Sequence, residues 1–548
     1  MVELNLTMRT TPNRSSCMLD WLRVSIVLIV GSLTAVPIAH AQTSRLISGV
    51  VADSDGRPLD GVKLFLWYSS TSVAPQAPDP LDSPAAVTDS RGSFRIEVPG
   101  DGRYFITPVK AGFVYPRRRS APAQVGTWIE VRTGVDIEKV RIAMLRESSI
   151  HGRVMDASGR PALRVPVSLL QYAYDDEGTR QLVSATGNVY TDDRGEYRFF
   201  GLSPGEYYLR AYVDSPVDRF AAVYYPGSAN KQSAEPLSVK AGEEIRLNAI
   251  TSVERETVEV RFRFPDRGSE GVRGLNSRSV HFVEGGSVTG TFGGFNGRPF
   301  PSEEWVLRLA RGFHEVTVAW SRASGDSSVS PQSFSEKSRI DATGGDTVQQ
   351  ITPAVAHRVA VNTSFGAAAL ATISSSVRCV LDSGDHYVQV ACNGETWIPS
   401  GSYALKIQDL PQDVYVGAAE AGGEDLLLGK AEIRSDGKIN IRLGTPGATV
   451  SGTVRGPAGE PVPHSTVVLI PDPALRATGL RYRSITSDIN GLFEIRGIAP
   501  GNYLLFAWRD IEGAAYRSPE FMERFEKQGR EVRIANNERQ SLDVGLAN

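Results

Sequence analysis

A ten-residue phrase occurs three times in this chain. It runs from Gly49 to Pro58 as GVVADSDGRP, from Gly152 to Pro161 as GRVMDASGRP, and from Gly452 to Pro461 as GTVRGPAGEP. An apolar run follows each copy, at Val62 to Leu66, Val165 to Leu170 and Val467 to Ile470. The copies start 103 and 300 residues apart, so the longer gap is close to three units of 100. A period of that size means an array of like modules, each a supersecondary unit with its own buried face. The length of 548 residues agrees, since one hydrophobic core stops growing well below it.

Two more landmarks recur. One is an acidic turn followed by Gly and an aromatic: Asp89, Gly92 and Phe94; Asp192, Gly195 and Tyr197; Asp488, Gly491 and Phe493. An Asp carboxylate accepts the free amides of a tight turn, and Gly closes the turn at positive φ. The other is a Gly two residues before a Tyr that opens a β run, at Tyr104, Tyr207, Tyr403 and Tyr503, with a weaker form at Gly312-Phe313. These closing aromatics predict five modules, of which the third and fourth have lost the opening phrase. Within them, short Val-, Ile-, Phe- and Tyr-rich runs alternate apolar with polar residues, as in Phe94 to Val98 and Lys438 to Leu443. That alternation predicts an all-β chain, a tandem array of about five Ig-like or prealbumin-like antiparallel β-sandwiches. The expected boundaries are 46–146, 147–252, 253–350, 351–446 and 447–548. A single helix is predicted at Pro519 to Gln528, with Ser518 as N-cap and Gly529 as C′ residue. Phe521, Met522 and Phe525 would pack it onto the last sandwich.

The opening phrase, the acidic turn and the Pro-Gly-x-Tyr closing together resemble carboxypeptidase regulatory-like domains, which are transthyretin-related β-sandwiches. The resemblance covers 46–146, 147–252 and 447–548 strongly and 253–446 weakly. It implies turn and core positions for Gly49, Pro58, Asp89, Gly92, Phe94 and Tyr104 and for their counterparts. It implies no catalytic residue, because related modules decorate secreted peptidases, adhesins and outer-membrane receptors.

The N-terminus reads as an export signal over residues 1–41. An apolar stretch from Val24 to Val36 follows Arg9, Arg14 and Arg23 and ends in Ala39-His40-Ala41, which predicts cleavage before Gln42. The stretch is shorter than a membrane span needs, and no later segment is apolar enough, so no membrane span is expected after cleavage. The expected location is secreted: extracellular, periplasmic or envelope-associated. Cleavage removes Cys17 and leaves Cys379 and Cys392 on two alternating runs around Asp382 to Asp385. These runs predict a hairpin that could bring the two sulfurs together, a disulfide candidate in an oxidising compartment, with two free thiols as the alternative.

Net charge is −3 and no basic segment is long, the densest being Arg117 to Arg119. A nucleic-acid partner is therefore not expected. Beyond the signal no two histidines lie closer than 29 residues, and there is no HExxH, nucleophile elbow or Walker lysine, so no catalytic residue, metal or cofactor is expected. The Gly-rich segment 284–297 reads as a hairpin loop. The aromatics are the better lead: Trp67-Tyr68, Tyr172, Tyr174, Tyr224-Tyr225 and Trp508 could stack on sugar rings, with Arg509, Asp510 and Tyr516 supplying hydrogen bonds beside Trp508. The expected function is a non-catalytic secreted or envelope protein, an elongated monomer with stability local to each module. Its partner would be an unidentified envelope or extracellular protein or glycan. The alternative is an accessory carbohydrate- or peptide-binding subunit of a degradation or uptake system.

Overall fold

The computed structural model describes residues 45–69, 83–117, 125–131, 137–212, 222–228, 231–251, 256–263, 275–282, 304–322, 332–350, 355–365, 377–384 and 386–547. The export signal, Arg118, Arg119 and the Gly-rich segment lie outside them. The described residues belong to one compact unit, and its regular structure is nearly all β-strand.

In the first sandwich, strand Arg45–Asp53 lies between Ser93–Val98 and Ile137–Arg146, and the facing sheet is built on Lys63–Ser69, Gly102–Val109 and Thr127–Val131. Alternation along Ser93–Val98 sends Phe94, Ile96 and Val98 inward, where they meet Leu64, Tyr104, Ile106 and Ile129 from the other sheet. The second and fifth sandwiches repeat this plan around Ile150, Leu169 and Tyr207 and around Val450, Leu469 and Tyr503. Most pairings are antiparallel, but one sheet of each stretch of about 100 residues contains parallel pairing. Arg45–Asp53 runs parallel to Ile137–Arg146, Ser148–Met155 to Glu244–Arg246, and Ala448–Arg455 to Arg539–Ser541. The same pairing joins Thr257–Arg263 to Thr347–Gln350 and Ala356–Phe365 to Gly437–Gly444. Five times, the strand that opens a stretch of about 100 residues is met by the strand that closes it.

The parallel pair explains the opening glycine. An added Cβ at Gly49 would sit 2.0 Å from the Val140 carbonyl oxygen, and one at Gly452 would sit 2.0 Å from that of Leu542. Only a residue without a side chain lets the two backbones approach so closely.

The middle of the chain is built differently. Leu275–Phe282, Phe313–Arg322 and Gln332–Asp341 continue directly into His386–Ala391, Arg378–Asp382, Gly401–Gln408 and Ala431–Ile433 as one seven-stranded sheet. The join is the pairing of Phe334 with Val388 and of Glu336 with His386. One hydrophobic core runs beneath it, from Val258 and Phe262 to Ile439 and Leu443.

The predicted ten-residue helix is instead an α-helical turn, Pro519–Met522, and a separate 3-10 turn, Glu526–Gln528. Ser518 caps the first by accepting the Phe521 amide, but Gly529 is extended, with φ −67°, rather than left-handed. So short a segment gains little from helix propagation, and packing decides its path. Phe521 and Phe525 turn onto Trp508, with ring centroids 6.2 and 5.7 Å away.

Sandwiches remote in sequence touch, which corrects the expected elongated array with purely local stability. The fifth sandwich meets the first where Arg103 donates to the Thr486 carbonyl and where Ile489 packs on the first core. It meets the second where Arg180 pairs with Glu512 at 3.0 Å and Arg517 donates to the Asp176 carbonyl. It meets the fourth where Thr478 donates to the Leu427 carbonyl and Arg481 to that of Gly417. Lys406 of the fourth also pairs with Glu177 of the second.

Candidate functional site

The repeated residues are consumed by the fold. Asp89, Asp192 and Asp488 each accept two amides through Oδ1, from residues two and four positions on, at 2.7–2.9 Å. The closing tyrosines Tyr104, Tyr207, Tyr403 and Tyr503 each donate the phenol hydrogen to the carbonyl four residues earlier, at 2.8–2.9 Å. One recurring feature escapes the sequence reading. The residue before each turn aspartate is a hydroxyl, Thr88, Thr191 or Ser487. It donates to the carbonyl of Leu59, Ala162 or Val462 and accepts the amide of Val62, Val165 or Ser465. A Thr-Asp or Ser-Asp pair three residues ahead of the turn glycine was the available signal.

The three turns differ in one respect. Asp89 and Asp192 are exposed, whereas Asp488 is 4 % exposed, its turn packed against the first sandwich. Burial, aided by the charge of Glu130 and opposed by backbone amides, pushes its carboxyl up to about 6.

Cys379 and Cys392 form a disulfide across the hairpin of Arg378–Asp382 and His386–Ala391, with Cα atoms 5.2 Å apart and both residues buried. The bond closes a loop with a sequence separation of 13. Reducing it is expected to lower stability by about 3 kcal/mol, the loop-closure entropy returned to the unfolded chain. Urea unfolding with and without reductant measures the difference, and coincident curves would contradict it.

Of the nominated ligand residues, Trp508 is corrected to a core residue. It is 4 % exposed, stacked on Phe506 at 5.1 Å and closed over by Phe521 and Phe525, so its ring offers no face to a sugar. Tyr516 is also buried, with its hydroxyl on Ser484. Arg509 and Asp510 stay exposed beyond the end of strand Gly501–Trp508, and the structure does not gather the four into one site. Tyr174 packs on Phe521 of the fifth sandwich.

Two other nominated aromatic positions fare differently. Tyr68 is 65 % exposed and borders a cleft of about 500 Å³ between the first, fourth and fifth sandwiches. Tyr172 is half-buried and lines a cleft of about 310 Å³ on the outer face of the second sandwich, beside Tyr208. The two rings meet edge to face, 5.3 Å apart, and the Arg180 guanidinium lies 4.4 Å from the centroid of Tyr172. Glu512 from the fifth sandwich holds Arg180 there. Ser203, which is 7 % exposed, is another residue beside the cleft, and its hydroxyl is buried and has no hydrogen-bond partner.

No helix among the described residues is long and apolar enough to cross a membrane, and no group of three or more metal-ligating side chains is found among them. No family model matches the chain, and no curated protein matches it in sequence. Among solved structures it is similar to the TIE protein of Bacillus anthracis, at 12% identity over 73% of this chain and 74% of that one, with a TM-score of 0.15. It is also similar to a minor pilin of Streptococcus agalactiae, at 15% identity over 39% of this chain and 98% of that one, TM-score 0.20. The major pilin subunit of Bacillus cereus gives 10% identity over 73% and 99%, TM-score 0.13. At such scores these likenesses carry no argument about what the chain does.

Proposed function

We propose that the chain is a non-catalytic secreted or envelope protein, a structural array of five sandwich modules bounded at 46–146, 147–252, 253–350, 351–446 and 447–548. The observation that carries this reading is the fate of the repeated residues. Each turn aspartate, closing tyrosine and opening glycine has a complete structural job, and the fifth sandwich ties the first, second and fourth together. The shared turns also favour a carboxypeptidase regulatory-like assignment for the first, second and fifth modules. The N-terminal signal and the disulfide favour export. On this reading the partner is another envelope component, a protein or a glycan.

Expression of the whole chain from its own start in a bacterial host tests the proposal. The expected product lies in the envelope or medium, begins at Gln42 and resists alkylation at Cys379 and Cys392. Retention in the cytoplasm with both thiols alkylated would overturn it.

A second reading, an accessory carbohydrate- or peptide-binding subunit, is favoured by one observation: the tyrosine-lined cleft on the second sandwich.

A further inference from the structure

The sheet that carries Tyr172 and Tyr208 has two faces. Leu169, Tyr207 and Leu209 point into the core of the second sandwich. Leu170, Tyr172 and Tyr208 therefore occupy the opposite face, by the two-residue period of a strand, with Leu170 paired directly to Tyr208. Rings on that face have no place in the core. Tyr174 finds a partner in Phe521 of the fifth sandwich. Tyr172 and Tyr208 instead remain half-buried along an open cleft.

The polar groups around them are fixed. Arg180 is held between the Tyr172 ring and Glu512, whose side chain is 13% exposed. Gln171 donates to the Glu206 carbonyl at 3.2 Å, and Arg117 donates to that of Ala185 at 3.1 Å. Ser203 is spoken for only through its backbone, since its carbonyl accepts the Tyr207 phenol while its own hydroxyl is buried and unpaired. Two cations, Arg117 and Arg180, face two carboxylates, Glu206 and Glu512, so the cleft favours neither an anion nor a cation. Its volume of about 310 Å³ stands at the small end of the ~300–1,000 Å³ range of ligand sites.

We propose that this cleft binds a neutral saccharide of about one to two pyranose rings, seated against Tyr172 and Tyr208. Tyrosine rings suit the apolar face of a pyranose, and fixed polar side chains suit its hydroxyl rim. The proposal rests on the second functional reading and supplies its ligand class. A peptide is the competing occupant, since Arg180–Ser184 beside the cleft is an edge strand of the sheet, and tetra-alanine is its probe.

The test uses the whole chain with its disulfide intact. Cellobiose, maltose and N,N′-diacetylchitobiose are the probes, with glucuronic acid and tetra-alanine as comparators, read by saturation-transfer NMR and isothermal titration. At least one neutral disaccharide is expected to bind saturably. Tyr172→Ala is expected to weaken it about tenfold. Tyr172→Phe, which keeps the ring, and Tyr190→Ala, an exposed ring outside the cleft, are expected to bind as the parent does, which separates loss of contact from loss of fold. No binding of any neutral disaccharide at 10 mM (about the weakest affinity worth assigning to a site), or equal binding of the acid or the peptide, would overturn the proposal. Such a result would leave the export and architecture reading standing, because that reading is judged by fractionation and alkylation alone.

Discussion

Gly49→Ala is expected to unfold the first sandwich. The new Cβ would stand 2.0 Å from the Val140 carbonyl oxygen and 2.7 Å from the Val140 carbonyl carbon, both backbone atoms of the parallel partner strand. Backbone in a paired strand cannot swing aside as a long side chain can, so the pair must part. Overpacking of this kind costs about 4 kcal/mol, in the tail of single-substitution effects. Gly452→Ala meets the Leu542 carbonyl at the same 2.0 Å and should behave alike in the fifth sandwich. Calorimetry together with limited proteolysis reads the effect. A first-sandwich segment that stays protease-resistant, with an unchanged calorimetric trace, would contradict the account.

The second large effect concerns pH. Asp488 differs from Asp89 and Asp192 in being covered by the first sandwich, and burial raises its carboxyl from the ordinary 3.8 to about 6. A carboxyl raised on folding favours the folded, docked state when it is protonated. Its contribution is fully present below about 3.8 and is lost as pH rises through about 6. The difference amounts to about 3 kcal/mol across that window. Asp488→Asn keeps an oxygen for the amides of Asn490 and Leu492 and removes the charge that faces Glu130. The variant is therefore expected to be more stable than the parent at pH 8, by up to about 3 kcal/mol, and close to it at pH 4. Melting temperatures of both proteins across that range decide the matter. Parallel pH profiles would remove Asp488 as the source.

These two sites mark how far the sequence could be read. The turn at Asp488 was legible because its hydrogen bonds reach amides two and four residues on, inside any reading window. The same holds for Tyr503, whose partner carbonyl lies four residues back. The expected count of sandwiches rests on such local signals. What covers Asp488 was not legible, since Glu130 is hundreds of residues away in the chain and no periodicity links them. Trp508 failed for the same reason. Its polar followers, Arg509 and Asp510, read as a wet loop, yet Phe521 and Phe525 return to close over the indole. The join of Phe334 to Val388 also escaped, because two alternating strands announce their faces but not their neighbours. Tyr172 could be named from sequence as an aromatic, but its cleft could not, because Glu512, which holds Arg180 there, reaches it from a sandwich far along the chain.

The contacts of the fifth sandwich also set a schedule. Synthesis runs from the N- to the C-terminus, so the first, second and fourth sandwiches exist before the segment that touches all three. Until it arrives, the Thr127–Val131 strand, the Tyr174 ring and the Gly417 carbonyl wait without the partners they later meet in His464, Phe521 and Arg481. An uncovered strand edge is an invitation to a second chain. The last hundred residues thus act as a timer on assembly: a nascent or truncated product is sticky where the finished one is sealed.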